Sequence, residues 1–155
     1  AKVVLSNMYG PNDHFDESRS HALGALVKKI CDAKENSVKE VEIWGTGKPI
    51  REWLYVEDGA ESLIKSLNLE GDSFFFNVGV GKGISIEMMA KKIAKFSDWD
   101  GKFIYNMDKP DGVLEKTVDG SKGFELLNWT PSTSLDDGIK LTVDWYLKYG
   151  KQERH

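Results

Sequence analysis

The chain has 155 residues, 40% apolar and 30% charged, with a formal charge of −4, and at this length one domain can bury roughly two-thirds of its unfolded surface. Its acidic balance lacks the basic footprint of a general nucleic-acid binder, and no apolar run approaches the ~18 residues of a membrane span. The apolar part of the N-terminus is too short for a signal peptide, and one cysteine, Cys31, excludes an internal disulfide and fits a reducing, cytoplasmic compartment.

The elements alternate in a way that indicates an α/β domain over residues 1–155. Lys2 to Ser6 is β-rich and reads as a strand, and Tyr9-Gly10-Pro11-Asn12-Asp13 is loop chemistry. From Ser20, the spacing of Leu23, Leu26, Val27 and Ile30 predicts a helix that packs Cys31 as a core thiol. Val41 to Trp44 predicts a strand. Val56, Ala60, Leu63, Ile64 and Leu67 then predict the apolar face of a second helix, with Glu57 and Asp58 in its first turn, where the helix dipole favours carboxylates.

Phe74 to Val78 reads as an apolar strand ending in Gly79-Val80-Gly81-Lys82-Gly83. Ser85 offers an N-cap to a third helix that carries Ile86, Met89, Ala90 and Ile93 on one face. Lys102 to Asn106 predicts a strand, and Ser121 to Asn128 a short helix closed before Pro131. Ser134 with Asp137 three residues on resembles a capping box and opens a last helix with Leu135, Ile139, Thr142, Val143 and Tyr146 on one side. The first strand has few evident partners downstream, which predicts that residues 1–7 join a sheet belonging to an upstream domain.

The most informative stretch runs from Val41 to Asp58: a strand, a Gly45-Thr46-Gly47 turn, Arg51 in a short extended segment, and an acidic helix entry. Two glycines let the chain reverse tightly and let a ligand approach the backbone. An arginine just beyond such a turn can present a fixed fork of donors to a phosphate. An exposed ion pair with Glu52 or Glu57 is the plainer role for Arg51. Trp44, beside the turn, is the tryptophan best placed to line a sugar or base site.

The order Trp-Gly-x-Gly-x-Pro-x-Arg-Glu-aromatic-Leu-x-Val-x-Asp resembles the nucleotide-sugar-binding part of GDP-L-fucose synthase, an extended short-chain dehydrogenase. Further segments match in order: Asn7-Met8-Tyr9-Gly10-Pro11, Ser20-His21-Ala22-Leu23, Asn77-Val78-Gly79-Val80-Gly81, Lys109-Pro110-Asp111-Gly112 and Asp119-Gly120-Ser121-Lys122. The resemblance covers the whole chain but only the C-terminal half of such an enzyme. It implies a substrate-binding portion with small sheets and four to five helices, lacking the N-terminal Rossmann domain.

By the same resemblance, His21 is an acid/base group in epimerisation, and Asn7, Lys29, Trp44, Arg51 and Lys109 bind the GDP-sugar. Histidine suits proton transfer beside a ketone because its ordinary pKa lies near operating pH. A surface position for His21, and solvated lysines at 29 and 109, are the plainer readings. Lys29 falls where the family commonly has an arginine, and Val113-Leu114-Glu115-Lys116 replaces a proline and a basic pair.

The implied intact enzyme binds NADP, epimerises and reduces a GDP-4-keto-6-deoxy-hexose, and is commonly dimeric through helices of the absent half. This chain alone is expected to bind no cofactor and to be inactive. Its glycine cluster at 79–83 lacks the Gly-x-Gly-x-x-Gly spacing and reads as a structural turn. Tyr105 and Lys109 share the spacing of a catalytic Tyr-x-x-x-Lys pair, but Pro110 disfavours the helical turn that would align them. No residue cluster has metal-ligand spacing. Two alternatives remain: part of a 4-keto reductase or epimerase acting on another GDP-sugar, such as a deoxyheptose, or a non-catalytic nucleotide-sugar-binding module.

Overall fold

A computed structural model describes residues 1–16, 20–71 and 73–150; His155, to which the sequence assigns no role, lies outside them. In chain order these residues form β1 (Lys2–Leu5), β2 (Asn7–Tyr9), α1 (Ala22–Glu35), β3 (Glu40–Trp44), β4 (Ile50–Tyr55), α2 (Val56–Ser66), β5 (Phe75–Val78), β6 (Gly83–Ser85), α3 (Ile86–Ser97), β7 (Lys102–Asn106), β8 (Glu115–Lys116), α4 (Ser121–Leu127) and α5 (Leu135–Tyr149). The fold is α/β with small sheets, as the sequence predicts.

Strand β4 is the hub. Its last three residues pair in parallel with β2, while its first three pair with antiparallel β6 and the first two of these also with parallel β8. Side chains alternate along a strand, and β4 uses this to join two cores. Trp53 and Tyr55 enter the larger core with Leu23, Ile30, Ile93 and Ile139, whereas Leu54 enters a smaller one with Phe76, Val78, Leu127 and Trp129. Helices α1, α3 and α5 pack on one another around the larger core. Strands β3 and β7 form a separate parallel pair.

The helical faces read from the sequence for α1, α3 and α5 are the buried ones. Ser85 and Ser134 act as the expected N-caps, their hydroxyls accepting from the backbone N–H groups of Met88 and Asp137 at 3.1 Å. Cys31 is fully buried, and desolvation first, then the charges of Asp32 and Glu35, push its thiol up to about 12.

Three expectations are corrected. Tyr9 lies in β2 rather than in a loop. Strand β1 finds a downstream partner, pairing in parallel with β5 from Lys2↔Phe75 to Leu5↔Val78; its other edge has no strand partner among the described residues. Helix α2 is turned so that Asp58, Gly59 and Ser62 are buried while Ile64 and Leu67 are exposed.

Hydrogen bonding sets the rotation of α2. The Asp58 carboxylate accepts the backbone N–H groups of Ser132 at 3.0 Å and Thr133 at 3.1 Å, tying α2 to the segment that enters α5. A side chain at position 59 would place its Cβ 2.8 Å from the Met8 sulfur, so glycine lets α2 lie close to β2.

Glu52 makes the other buried bracket. It is wholly shielded from solvent, with one carboxylate oxygen accepting the backbone N–H groups of Val80 and Gly81 and the other that of Val118. One side chain thus joins β4 to the turn after β5 and to the segment after β8. Gly79 makes room for it: a Cβ there would lie 2.1 Å from the carboxylate. A lost hydrogen bond to a charged group is worth about 1.5–3 kcal/mol. Glu52→Ala, which strands three donors, is therefore expected to destabilise the chain by roughly 3 kcal/mol or more in urea unfolding. Glu61→Ala, on an exposed ion pair, should stay within about 0.5 kcal/mol of wild type.

Candidate functional site

Two clefts open on either side of the start of α1. The first encloses about 300 Å³ between α1, β3, β4 and the segment at 110–111; Ala25, Lys29, Trp44, Arg51 and Asp111 line it. The second, of about 540 Å³, is lined by Ser6, Asn7, Asp13, His21, Glu52 and Val118.

The alternation of β3 builds the first cleft. Val41 and Ile43 point into the core, leaving Glu40, Glu42 and Trp44 on the outer face. Trp44 keeps 53% of its surface exposed, so its indole is available to a ligand. Two ammonium groups approach this ring: the Nζ of Lys29 lies 5.0 Å from its centroid and that of Lys109 5.3 Å. Each such cation–π contact is worth about 0.5–1 kcal/mol at an exposed site. Trp44 therefore gathers a lysine from α1 and a lysine from the 107–114 segment at one cleft mouth.

Arg51 projects from β4 into the same cleft, its Nη1 donating to the Ile50 carbonyl at 2.8 Å. The ion pair with Glu52 does not form, because that carboxylate is spent on the three backbone donors. Lys29 and Arg51 line the cleft together with Glu42 and Asp111, and Lys109 stands over Trp44 at its mouth; the guanidinium and the two ammonium groups are the donors a diphosphate would need.

The segment over the cleft is latched to the glycine turn. Asp111 accepts the backbone N–H of Thr46 at 2.6 Å and its hydroxyl at 2.7 Å, and Ile50 N–H donates to the Leu114 carbonyl at 2.7 Å. These bonds from Thr46, first the hydroxyl and then the N–H, hold the Asp111 carboxyl below its ordinary pKa. Gly45, at φ +67°, is required on two counts: the left-handed backbone, and a Cβ that would sit 2.2 Å from the Asp111 carboxylate. Both oxygens of Asp111 are thus engaged, which limits its repulsion of an anion nearby.

In the second cleft, His21 is the N-cap residue of α1, with extended backbone and no side-chain cap bond. Its side chain is exposed to the cleft. The Asn7 amide donates to the Glu52 carbonyl at 2.9 Å, so it braces β2 against β4 at the cleft floor. Residues picked from the sequence therefore fall into two neighbouring groups: Lys29, Trp44, Arg51 and Lys109 in one, Asn7 and His21 in the other.

The turn at 79–83 is a structural one, as its spacing suggests. Its Val80 and Gly81 N–H groups, the donors a pyrophosphate would need, are filled by Glu52. The described residues thus do not fit a dinucleotide phosphate at this turn. Tyr105 lies in β7 with Lys109 in the following turn, and the Lys109 ammonium is drawn to Trp44, so the two do not form a catalytic pair. No group of three or more potential metal ligands occurs among the described residues, and no described helix is long and apolar enough to cross a membrane.

Glu42, Glu52, Asp13 and Asp111 were not picked out as site residues by sequence reasoning. Glu42 was findable: it lies two residues before Trp44 on a strand and shares its face. Its carboxylate accepts the Asn106 amide at 2.9 Å at the cleft edge.

Residues 2–79 match the model of the NAD dependent epimerase/dehydratase family. The chain belongs to this family. Among the curated members, a GDP-L-fucose synthase of Arabidopsis thaliana is 41% identical over 143 residues, which are 92% of this chain and 44% of that protein. Among solved structures, a GDP-L-fucose synthetase from Naegleria fowleri bound to NADP superposes with a TM-score of 0.90 at 28% identity, over 99% of this chain and 48% of its own. A GDP-D-glycero-L-gluco-heptose synthase from Campylobacter jejuni, in the presence of NADPH, gives 0.76 at 26% identity over 94% and 52%. The chain thus spans about half the length of the epimerase/dehydratase family members it matches.

The latch defines a measurable property of this family member. Asp111→Ala is expected to speed hydrogen exchange of the Thr46 amide by about tenfold or more, the loss of one charge-assisted bond. Exchange in β7 should not change.

Proposed function

We propose that the chain is the nucleotide-sugar-binding part of an NADP-dependent 3,5-epimerase/4-reductase of the GDP-L-fucose synthase type, acting on a GDP-4-keto-6-deoxy-hexose in the cytoplasm. The observation that carries this reading is the approach of Lys29 and Lys109 to the Trp44 ring at the mouth of a cleft that Arg51 also lines. Three cations supply charge for a diphosphate, and the half-exposed indole supplies a flat face for a base. The likeness to a GDP-L-fucose synthase supports the choice of GDP.

In this reading the sugar extends from the first cleft towards the second, past the start of α1. His21 takes the proton from the carbon beside the ketone. The C–H pair moves onto the ketone oxygen, and return of a proton to the other face inverts the carbon. Asn7 shapes the floor where the sugar lies. In the intact enzyme NADPH would supply the hydride that reduces the ketone, and we assign its site to the half of the relatives that this chain does not span. We take β1, whose outer edge is free of a strand among the described residues, as the join to that Rossmann half.

A second reading keeps the site but changes the sugar. Lys29 and the exposed Val113 and Leu114, which stand where the family pattern has an arginine and a proline with a basic pair, favour another GDP-sugar, such as a GDP-deoxyheptose, in a reductase or single-carbon epimerase. Product analysis separates the two. Full-length His21→Asn is expected to reduce the keto-sugar without inverting it; a product with the same stereochemistry as that of the wild-type enzyme favours the reductase reading.

The binding claim is tested by calorimetry on the chain itself. GDP should bind, UDP more weakly, and Arg51→Ala should weaken GDP by about tenfold or more, as expected for a charge-assisted phosphate contact. Absence of GDP binding to the wild-type chain overturns the assignment. The chain without its Rossmann half is expected not to oxidise NADPH; turnover with a GDP-4-keto-6-deoxy sugar refutes that part.

A further inference from the structure

Asp13 is the one carboxylate in the second cleft with an oxygen left over. Its Oδ1 accepts the backbone N–H of His14 at 2.8 Å, while Oδ2 is buried and has no hydrogen-bond partner among the described residues. Buried polar atoms are nearly always paired, so an orphaned carboxylate oxygen asks for an explanation. The hydroxyls of Ser6, on the same cleft, and of Ser20, whose Cβ would lie 3.5 Å from a Cβ added at Gly24, are likewise buried without a partner among the described residues.

The surroundings of Asp13 bring it to the first turn of α1. An added Cβ at Gly24 would lie 3.5 Å from Oδ2 and 2.9 Å from the His14 carbonyl, so glycine at this position lets the 13–14 turn press against the helix start. His21 occupies the N-cap of that same turn and lines the same cleft as Asp13. The titratable groups facing Asp13 are His14 and His21, whose charges lower its pKa, with Glu52 and Lys116 elsewhere on the cleft wall.

We propose that Asp13 is a positioning residue for His21: its free oxygen accepts an imidazole N–H, fixing the ring's tautomer and aiming the other nitrogen into the cleft. The proposal rests on the reading of His21 as the acid/base group. It gives the orphaned oxygen the donor it lacks, and it gives the histidine the orientation that proton transfer requires.

The cost of Asp13 to the fold supports this role. Burial raises its carboxyl above the ordinary value, against smaller lowering by the His14 N–H and the two histidines. A carboxyl raised in the folded state binds more protons folded than unfolded. Stability therefore falls as pH climbs from the unfolded value to the folded one, and stays lower above it. A merely architectural residue would be better as asparagine.

Two variants of the chain test the proposal by NMR. In His21→Gln, the Asp13 carboxyl midpoint is expected to rise, because a charge that lowers it is gone. In Asp13→Asn, two-bond nitrogen correlations are expected to show the His21 tautomer ratio changed by about threefold or more, with a melting temperature at pH 7 no lower than wild type. An unmoved Asp13 midpoint in His21→Gln overturns the pairing, and so does an unchanged tautomer ratio in Asp13→Asn. His21 is exposed, so His21→Gln keeps the test decisive even where Asp13→Asn fails to fold. Titration of Asp13→Asn with GDP separates this from the functional reading. Asp13 lies outside the first cleft, so GDP binding should survive in that variant. Failure of wild type to bind GDP sinks the nucleotide-sugar assignment and leaves the pairing to be judged on the NMR result alone.

Discussion

The buried carboxylate of Glu52 is the contact on which the two clefts depend. It sits at the midpoint of β4, where the strand changes partners from β6 and β8 to β2. Its oxygens take backbone donors from residues 80, 81 and 118. Removing a carboxylate from water is costly unless its lone pairs are filled, and three N–H groups meet that need. The neighbouring residue Arg51 is thereby freed of an acidic partner next to it in sequence. A charge that might have neutralised the arginine instead holds the cleft wall together.

The alternation of two strands distributes the remaining roles. On β4, Trp53 and Tyr55 enter one core and Leu54 the other, so the strand cannot slip by a residue without emptying both. On β3, the same period of two buries Val41 and Ile43 and leaves Glu42 and Trp44 facing the first cleft. The Thr46–Asp111 latch then brings Lys109 over the exposed indole. The cleft is assembled from elements distant in sequence, with Asp111 and the Leu114 carbonyl fastening the segment over it to the glycine turn and to β4.

Much of the fold was legible because periodicity survives in it. Helices α1, α3 and α5 bury the faces their apolar spacing indicates, since those faces meet one another around a common core. Helix α2 shows where that rule fails. Its apolar residues Leu63, Ile64 and Leu67 look like a core face, but Asp58 has backbone donors to satisfy and turns the helix the other way. Strands β6 and β8 are too short to carry a pattern. The β1–β5 pairing joins residues more than seventy apart, and a strand's sequence does not name its partner. At the first cleft, an ordered motif marks Trp44, Arg51 and Lys109, and Lys29 stands out only by its place on the helix; the structure sets both lysines against the Trp44 ring. Glu52 and Asp13 were not legible, because residue identity does not reveal which donors a carboxylate will meet.

Comparing four acidic side chains that accept backbone N–H groups separates architecture from chemistry. Glu52, Asp58 and Asp111 each engage both oxygens with donors from another part of the chain. Each closes a bracket between two segments, and each has a plain structural reason to be acidic. Asp13 engages one oxygen with its immediate neighbour in sequence and nothing with the other. It joins no distant segments by hydrogen bonds, and desolvation raises its carboxyl. A residue that the fold does not use and that burial penalises is explained by what happens in the cleft it faces, and the titratable group that shares this cleft at the head of α1 is His21.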